Sequence, residues 1–166
     1  VYHPDASAEV CSRQESLLLT LQRACRALDR TLLLEVVPAL DGREDFRATA
    51  RAVERLYDAG LAPEWWKLPP PVDELASAAV DRVVLERDPG CSGVLLLGNG
   101  LEAEELRRRL AWARRSPVCR GFAFGRTVFA EAAQAWAQGR IGDDEVTARV
   151  RARMAELIRL WSSDAD

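Results

Sequence analysis

An α/β fold built on a parallel sheet is predicted by three observations. Four short apolar runs read as strands: Thr31 to Val37 (TLLLEVV), Glu64 to Leu68 (EWWKL), Gly93 to Leu97 (GVLLL) and Val118 to Phe124 (VCRGFAF). The segments between them carry helical periodicity and are long enough for crossovers. Breakers close the runs: Pro69-Pro70-Pro71 after the second, Gly98-Asn99-Gly100 after the third, Gly125-Arg126 after the fourth. Strand and helix alternating at this spacing give parallel strands joined by right-handed crossovers.

Each element follows from its own residues. Glu9 to Leu28 reads as a helix with Leu17, Leu21, Ala24 and Leu28 on one stripe. TLLLEVV is apolar enough for a strand buried on both faces, interrupted only by Glu35. Arg43 to Ala59 places Phe46, Ala50, Val53 and Tyr57 inward and is closed by Gly60. Asp73 to Arg87 carries Leu75, Ala79 and Val83, and Leu101 to Arg115 is the next helix. A further helix begins near Thr127. The last, Asp143 to Trp161, spaces Val146, Val150, Met154, Leu157 and Trp161 helically.

Composition narrows the function classes. At 166 residues and 48% hydrophobic content, the chain fits one domain with a real core. The net charge is -3 and arginines are interspersed with acids, so no basic stripe points to nucleic acid. Arg107-Arg108-Arg109 and Arg114-Arg115 follow Glu102, Glu104 and Glu105, the acid-first order that a solvated helix face prefers. Cys11, Cys25, Cys91 and Cys119 are far apart, and the chain has one histidine, so a Cys/His metal site is not expected. The cysteines read as small buried thiols in a reducing compartment, the cytoplasm. No apolar run has membrane-spanning length and no signal peptide is visible, so no membrane partner is expected. The chain opens on Val1 without Met, within what reads as the middle of an element, as a fragment, a processed product or a mis-set start would.

The most informative residue is Lys67. It is the one lysine against twenty-two arginines, and it stands in Trp65-Trp66-Lys67-Leu68. Arginine can replace lysine as a surface cation but not as an amine nucleophile, because a guanidinium stays protonated. The other runs also carry or end in polar residues: Glu35, then Gly98 and Asn99, then Gly125 and Arg126. No GxGxxG follows the first strand, which leaves a dinucleotide-binding sheet unsupported. In a (β/α)8 barrel those strand ends converge on one mouth, where active sites sit; in an open doubly wound sheet they would lie in a row.

LLLEVVP, WWKL, GVLLLGNG and GFAFGRTVF, in that order and spacing, resemble the second half of a class I aldolase barrel. The likeness is greatest to the aldolase-like C-terminal domain fused to bacterial 5-dehydro-2-deoxygluconokinases of inositol catabolism. It is more distant to the class I tagatose-1,6-bisphosphate aldolases. Tyr2-His3-Pro4-Asp5 also looks like that family, at the end of its fourth strand. The resemblance implies a single aldolase-like domain over residues 1–166 that holds barrel strands five to eight with their helices and lacks the N-terminal half. It implies Lys67 as the Schiff-base lysine and Glu35 as the carboxylate that moves protons. Gly125 and Arg126 become the phosphate-binding element, with Gly98 and Asn99 beside it. The implied activity is lyase chemistry on a phosphorylated keto sugar, such as 2-deoxy-5-keto-gluconate 6-phosphate, without cofactor or metal. The alternative is a non-catalytic sugar-phosphate-binding or assembly domain associated with a carbohydrate kinase. Pro69 stands where related aldolases carry a carboxylate two residues after the lysine.

Other readings of the same residues stay open at this point. Glu35 can pair with a buried arginine, Arg126 with Glu131 one turn on, and Asn99 can serve only the turn. Trp65 and Trp66 should point to opposite faces of the strand, one toward the helices. A half barrel leaves two open sheet edges. A homo-oligomer that closes the sheet, or the absent N-terminal half supplied in trans, is therefore expected.

Overall fold

The computed structural model describes residues 2, 6–38, 47–98 and 100–162. Their elements run α1 (Ala8–Ala27), β1 (Leu33–Glu35), α2 (Ala48–Asp58), β2 (Trp65–Leu68), α3 (Glu74–Arg87), β3 (Gly93–Leu96), α4 (Ala103–Arg114), β4 (Cys119–Phe122), α5 (Arg126–Ala137) and α6 (Asp143–Ser162). The predicted α/β alternation is what the chain adopts. Arg43, Phe46, Asn99 and His3, singled out above, lie outside the described residues.

The four strands form one parallel sheet in the order β1-β2-β3-β4. The order never reverses, so the sheet lacks the switch point of a doubly wound fold. Alternation along the strands puts Leu34, Trp66, Leu68, Val94 and Leu96 on one face, all in the buried core. The helices supply the other half of that core through Val53, Leu56 and Tyr57 of α2, Val83 and Val84 of α3, Leu106 and Leu110 of α4, and Leu157 of α6. Each such side chain, fully removed from water, contributes about 1.5–3 kcal/mol before entropy is counted. Helix packs on helix in the order α2, α3, α4, α6, with α5 against α6.

Local chemistry sets the boundaries. Ser7 caps α1 through its hydroxyl, which accepts from the Val10 amide at 3.4 Å. Asp73 caps α3, its carboxylate accepting from the Ala76 amide at 2.7 Å. Gly60 takes φ +91 just past α2, a conformation that glycine adopts without Cβ strain. The β2–β3 ladder closes at the last residue of β2, whose carbonyl (Leu68) accepts from the amide of Leu97, one residue beyond β3, at 2.9 Å. There the prolines, having no N–H, end it. α1 is tied down by the buried Gln22, which donates to the Gly60 carbonyl at 3.2 Å and accepts from the Ala62 amide at 2.7 Å.

Four expectations are corrected. β1 is buried on one face only, and Leu33 is 43% exposed on the other, because no layer of the described residues covers it. The α1 stripe faces solvent, with Leu17 and Leu28 64% and 68% exposed, while Cys11 and Gln22 are buried instead. On α3, Leu75 is exposed and Val83 is joined in the core by Val84. Arg109 is not part of a solvated face. It is buried on α4, its Nε donating to Glu105 Oε1 at 2.6 Å, whereas Arg107 and Arg108 stay exposed.

Candidate functional site

The uncovered face of the sheet carries the chemistry. Glu35 and Lys67 are register partners on neighbouring parallel strands, so their side chains rise side by side. Lys67 Nζ lies 2.6 Å from Glu35 Oε2, an ammonium–carboxylate contact. The lysine side chain is 22% exposed and the glutamate 48%. A pair this open to water contributes only about 0–1 kcal/mol to stability, so packing alone does not explain its placement. Glu35 therefore pairs with Lys67 and not with a buried arginine.

The rest of that face frames the pair. Trp65 stands two residues before Lys67 on the same side, half-buried, while Trp66 points the other way into the core. This is the division expected from strand alternation. Leu95 is the next register partner beyond Lys67, and Gly121 the next beyond Leu95. A side chain at Gly121 would meet nothing within 4 Å, so that flank of the lysine is open. Arg120 crosses the same face at the N-terminal end of the strands, where a Cβ on Gly93 would collide with its Cγ at 2.5 Å. Sequence reading missed Arg120; the available signal was a charged residue inside an apolar run.

A second cluster forms at the C-terminal ends of β3 and β4. Gly125 is the N-cap of α5, its carbonyl accepting from the Val128 amide at 2.8 Å, and no side chain caps the helix. The first-turn amides of Arg126 and Thr127 have no intrahelical acceptor by helix geometry. Arg126 is exposed and makes no ion pair with a described residue, so the Glu131 pairing is not made. Gly98 is buried hard against this turn, since a Cβ there would fall 1.9 Å from Thr127 Oγ1. The structure thus brings Gly98, after β3, and Gly125 and Arg126, after β4, together one to two strands from Lys67, or about 5–10 Å at ordinary strand spacing.

Other titratable groups do different work. The Ser116 hydroxyl donates to Asp81 at 2.5 Å and accepts from the Val118 and Cys119 amides, which pins the entry to β4. Burial raises the Asp81 carboxyl above its ordinary range. None of the four cysteines forms a disulfide. Cys11 is buried and the others half-buried. Burial pushes the Cys119 thiol up to about 11 and also raises Cys91, so neither is a ready thiolate nucleophile. Among the described residues, no group of three His, Cys, Asp or Glu is placed to hold a metal ion. No described helix is long and apolar enough to cross a membrane.

Residues 1–165 match the family described as "Uncharacterized protein conserved in bacteria (DUF2090)", and the chain belongs to that family. No curated protein matches the chain.

Proposed function

We propose that this family member is half of an aldolase-type (β/α)8 barrel, acting in the cytoplasm on a phosphorylated keto sugar through a Schiff base at Lys67. The observation that carries the reading is the 2.6 Å contact between the chain's one lysine and Glu35. Glu35 takes the ammonium proton, and the freed amine attacks the ketone carbon. Glu35 returns that proton to the carbinolamine hydroxyl, which leaves as water to give an iminium. The iminium then draws in the electron pair as the bond between its α and β carbons breaks, while the β-hydroxyl gives its proton to Glu35 and becomes the carbonyl of the departing fragment. Glu35 is the carboxylate in reach to return a proton to the resulting enamine carbon, and hydrolysis then frees Lys67. The phosphate goes to the uncapped N-terminus of α5, where backbone amides and Arg126 meet an anion and Gly98 and Gly125 keep side chains out of the way.

The test is borohydride trapping with 2-deoxy-5-keto-gluconate 6-phosphate. The parent should gain the mass of the reduced adduct on the peptide containing Lys67, and Lys67→Arg should gain none. With one lysine in the chain, the assignment is unambiguous once the α-amine is excluded by peptide mapping. No adduct on the parent removes the Schiff-base step. Arg126→Ala should weaken binding of the same compound by about 1.5–3 kcal/mol, the range for a charge-assisted hydrogen bond, as read by calorimetry. Equal affinity of the two proteins would remove the phosphate site.

One observation favours the non-catalytic alternative. Lys67 and Glu35 are partly solvated and paired, and the described residues wall off no dry pocket around them. Binding that depends on Arg126 without any trapped adduct would establish a sugar-phosphate-binding domain.

A further inference from the structure

We propose that Arg120 determines the specificity of the candidate site by binding a carboxylate at the end of the keto sugar opposite the phosphate. The inference deepens the proposed function and rests on its sugar-phosphate reading, not on the Schiff-base step.

Three observations lead to it. The first is how the backbone delivers this side chain. β3 and β4 pair Val94 with Cys119 and then Leu95 with Gly121, so Arg120 is an extra residue in the ladder. Such a bulge re-aims a side chain, and bulges are common next to active sites. Arg120 is followed by Gly121 at φ +148, a conformation that favours glycine. The second is that the neighbouring strand makes room for it. A Cβ on Gly93 would stand 2.5 Å from Arg120 Cγ and 3.3 Å from its Nε, so the glycine is what lets the arginine lie across β3. The third is the state of the charge. Arg120 is exposed and makes no ion pair with a described residue. Its Nε donates to the Ser92 carbonyl at 3.4 Å, which leaves the two Nη groups as the fork that a carboxylate matches.

Position selects the ligand group. Lys67 pairs with Leu95, so Gly93 lies one strand over from Lys67 and two residues back. At ordinary rise and strand spacing that is about 8 Å. Arg126 lies on the other side of Lys67, past the C-terminal ends of the strands. A ligand with its ketone at Lys67 and its phosphate at Arg126 therefore directs its far end toward Arg120. In 2-deoxy-5-keto-gluconate 6-phosphate that end is the C1 carboxylate, four carbon–carbon bonds from the ketone carbon. Bonds of about 1.5 Å carry it about 5 Å, and a charge-assisted hydrogen bond of about 2.8 Å closes the remainder. Arg120 and Lys67 share one face of one sheet, so the assignment holds whatever lies opposite that face.

The test compares 2-deoxy-5-keto-gluconate 6-phosphate with its C1 carboxamide by calorimetry. The amide keeps the ketone and the phosphate and loses the carboxylate charge. The parent should bind the acid about 10- to 100-fold more tightly than the amide, the range for a hydrogen bond to a charged group. Arg120→Ala should weaken the acid by the same factor, leave the amide unchanged and keep the far-UV circular dichroism of the fold. Arg126→Ala should weaken both ligands. Arg120→Lys should recover part of the loss, because it keeps the charge without the fork. An Arg120→Ala variant that weakens acid and amide alike would show a merely structural role and overturn the proposal. So would a parent that binds the two equally, and this result needs no variant. The sugar-phosphate reading survives that result if Arg126→Ala still weakens both. A parent that binds neither ligand removes that reading and this inference with it. A loss on Arg120→Ala confined to tagatose 1,6-bisphosphate would overturn the carboxylate in favour of a second phosphate.

Discussion

Trp66→Ala should cost about 3–5 kcal/mol of folding stability, the range for removing a large aromatic from a core. Trp66 is fully buried. Its ring meets Tyr57 edge-on, with centroids 5.3 Å apart, and its indole N–H donates to the Tyr57 hydroxyl at 2.8 Å. Truncation removes the packing, opens a cavity between β2 and α2, and strips a buried hydroxyl of its donor. For a domain whose whole stability is about 5–15 kcal/mol, this one change takes a large share. Trp66→Phe keeps most of the ring and loses the hydrogen bond, so it should fall between, at about 1–3 kcal/mol. Urea denaturation should show the midpoint falling in the order parent, Phe, Ala at an unchanged slope. An Ala variant within about 0.5 kcal/mol of the parent, as for a surface substitution, would mean that Trp66 is not the centre of this core. The neighbouring Trp65→Ala should cost much less, since that side chain lies half-buried on the uncovered face. The contrast makes strand alternation itself the thing measured.

The sheet was legible in the sequence because four apolar runs of strand length, each stopped by proline or glycine, leave few other foldings. The Lys67–Glu35 contact was legible in part. Both residues fall in predicted neighbouring strands, and their shared register then follows from pairing Leu33 with Trp65. What the sequence could not say is which apolar faces would be covered. Periodicity marks Leu17, Leu21 and Leu28 as one stripe, but it is silent on whether anything packs there, and in this chain nothing described does. The same blindness made β1 look buried on both faces, when Leu33 and Glu35 face out. Arg109 was misread for the opposite reason. Its neighbours Arg107 and Arg108 are exposed, and only the helix rotation that turns Leu106 and Leu110 inward carries Arg109 in with them, where Glu105 balances its charge. The tight approach of Gly98 to Thr127 was beyond reach, since it depends on two residues far apart in sequence meeting at the ends of β3 and β4.

That approach supports the second large effect. Gly98→Val should cost about 3 kcal/mol, the upper end for overpacking, and Gly98→Ala about 1–3 kcal/mol. The cause is steric alone. Gly98 is not among the glycines with positive φ, so the backbone would accept any residue there. The space would not. A Cβ would stand 1.9 Å from Thr127 Oγ1 and 2.9 Å from Thr127 Cβ, with Phe124 in ordinary contact at 3.5 Å. Threonine is stiff at χ1 and sits in the first turn of α5, so relief requires the helix N-terminus itself to move away from β3. That N-terminus is the proposed phosphate site. The stability loss should therefore come with weaker protection by the sugar phosphate in thermal melts, even where the variant is folded. Thr127→Ser in the Gly98→Ala background should recover part of both losses, because a serine hydroxyl can swing aside and a methyl is gone. A backbone cause would leave Thr127→Ser without effect. A folded Gly98→Val variant of parental stability would show that α5 does not pack as closely on β3 as this geometry requires.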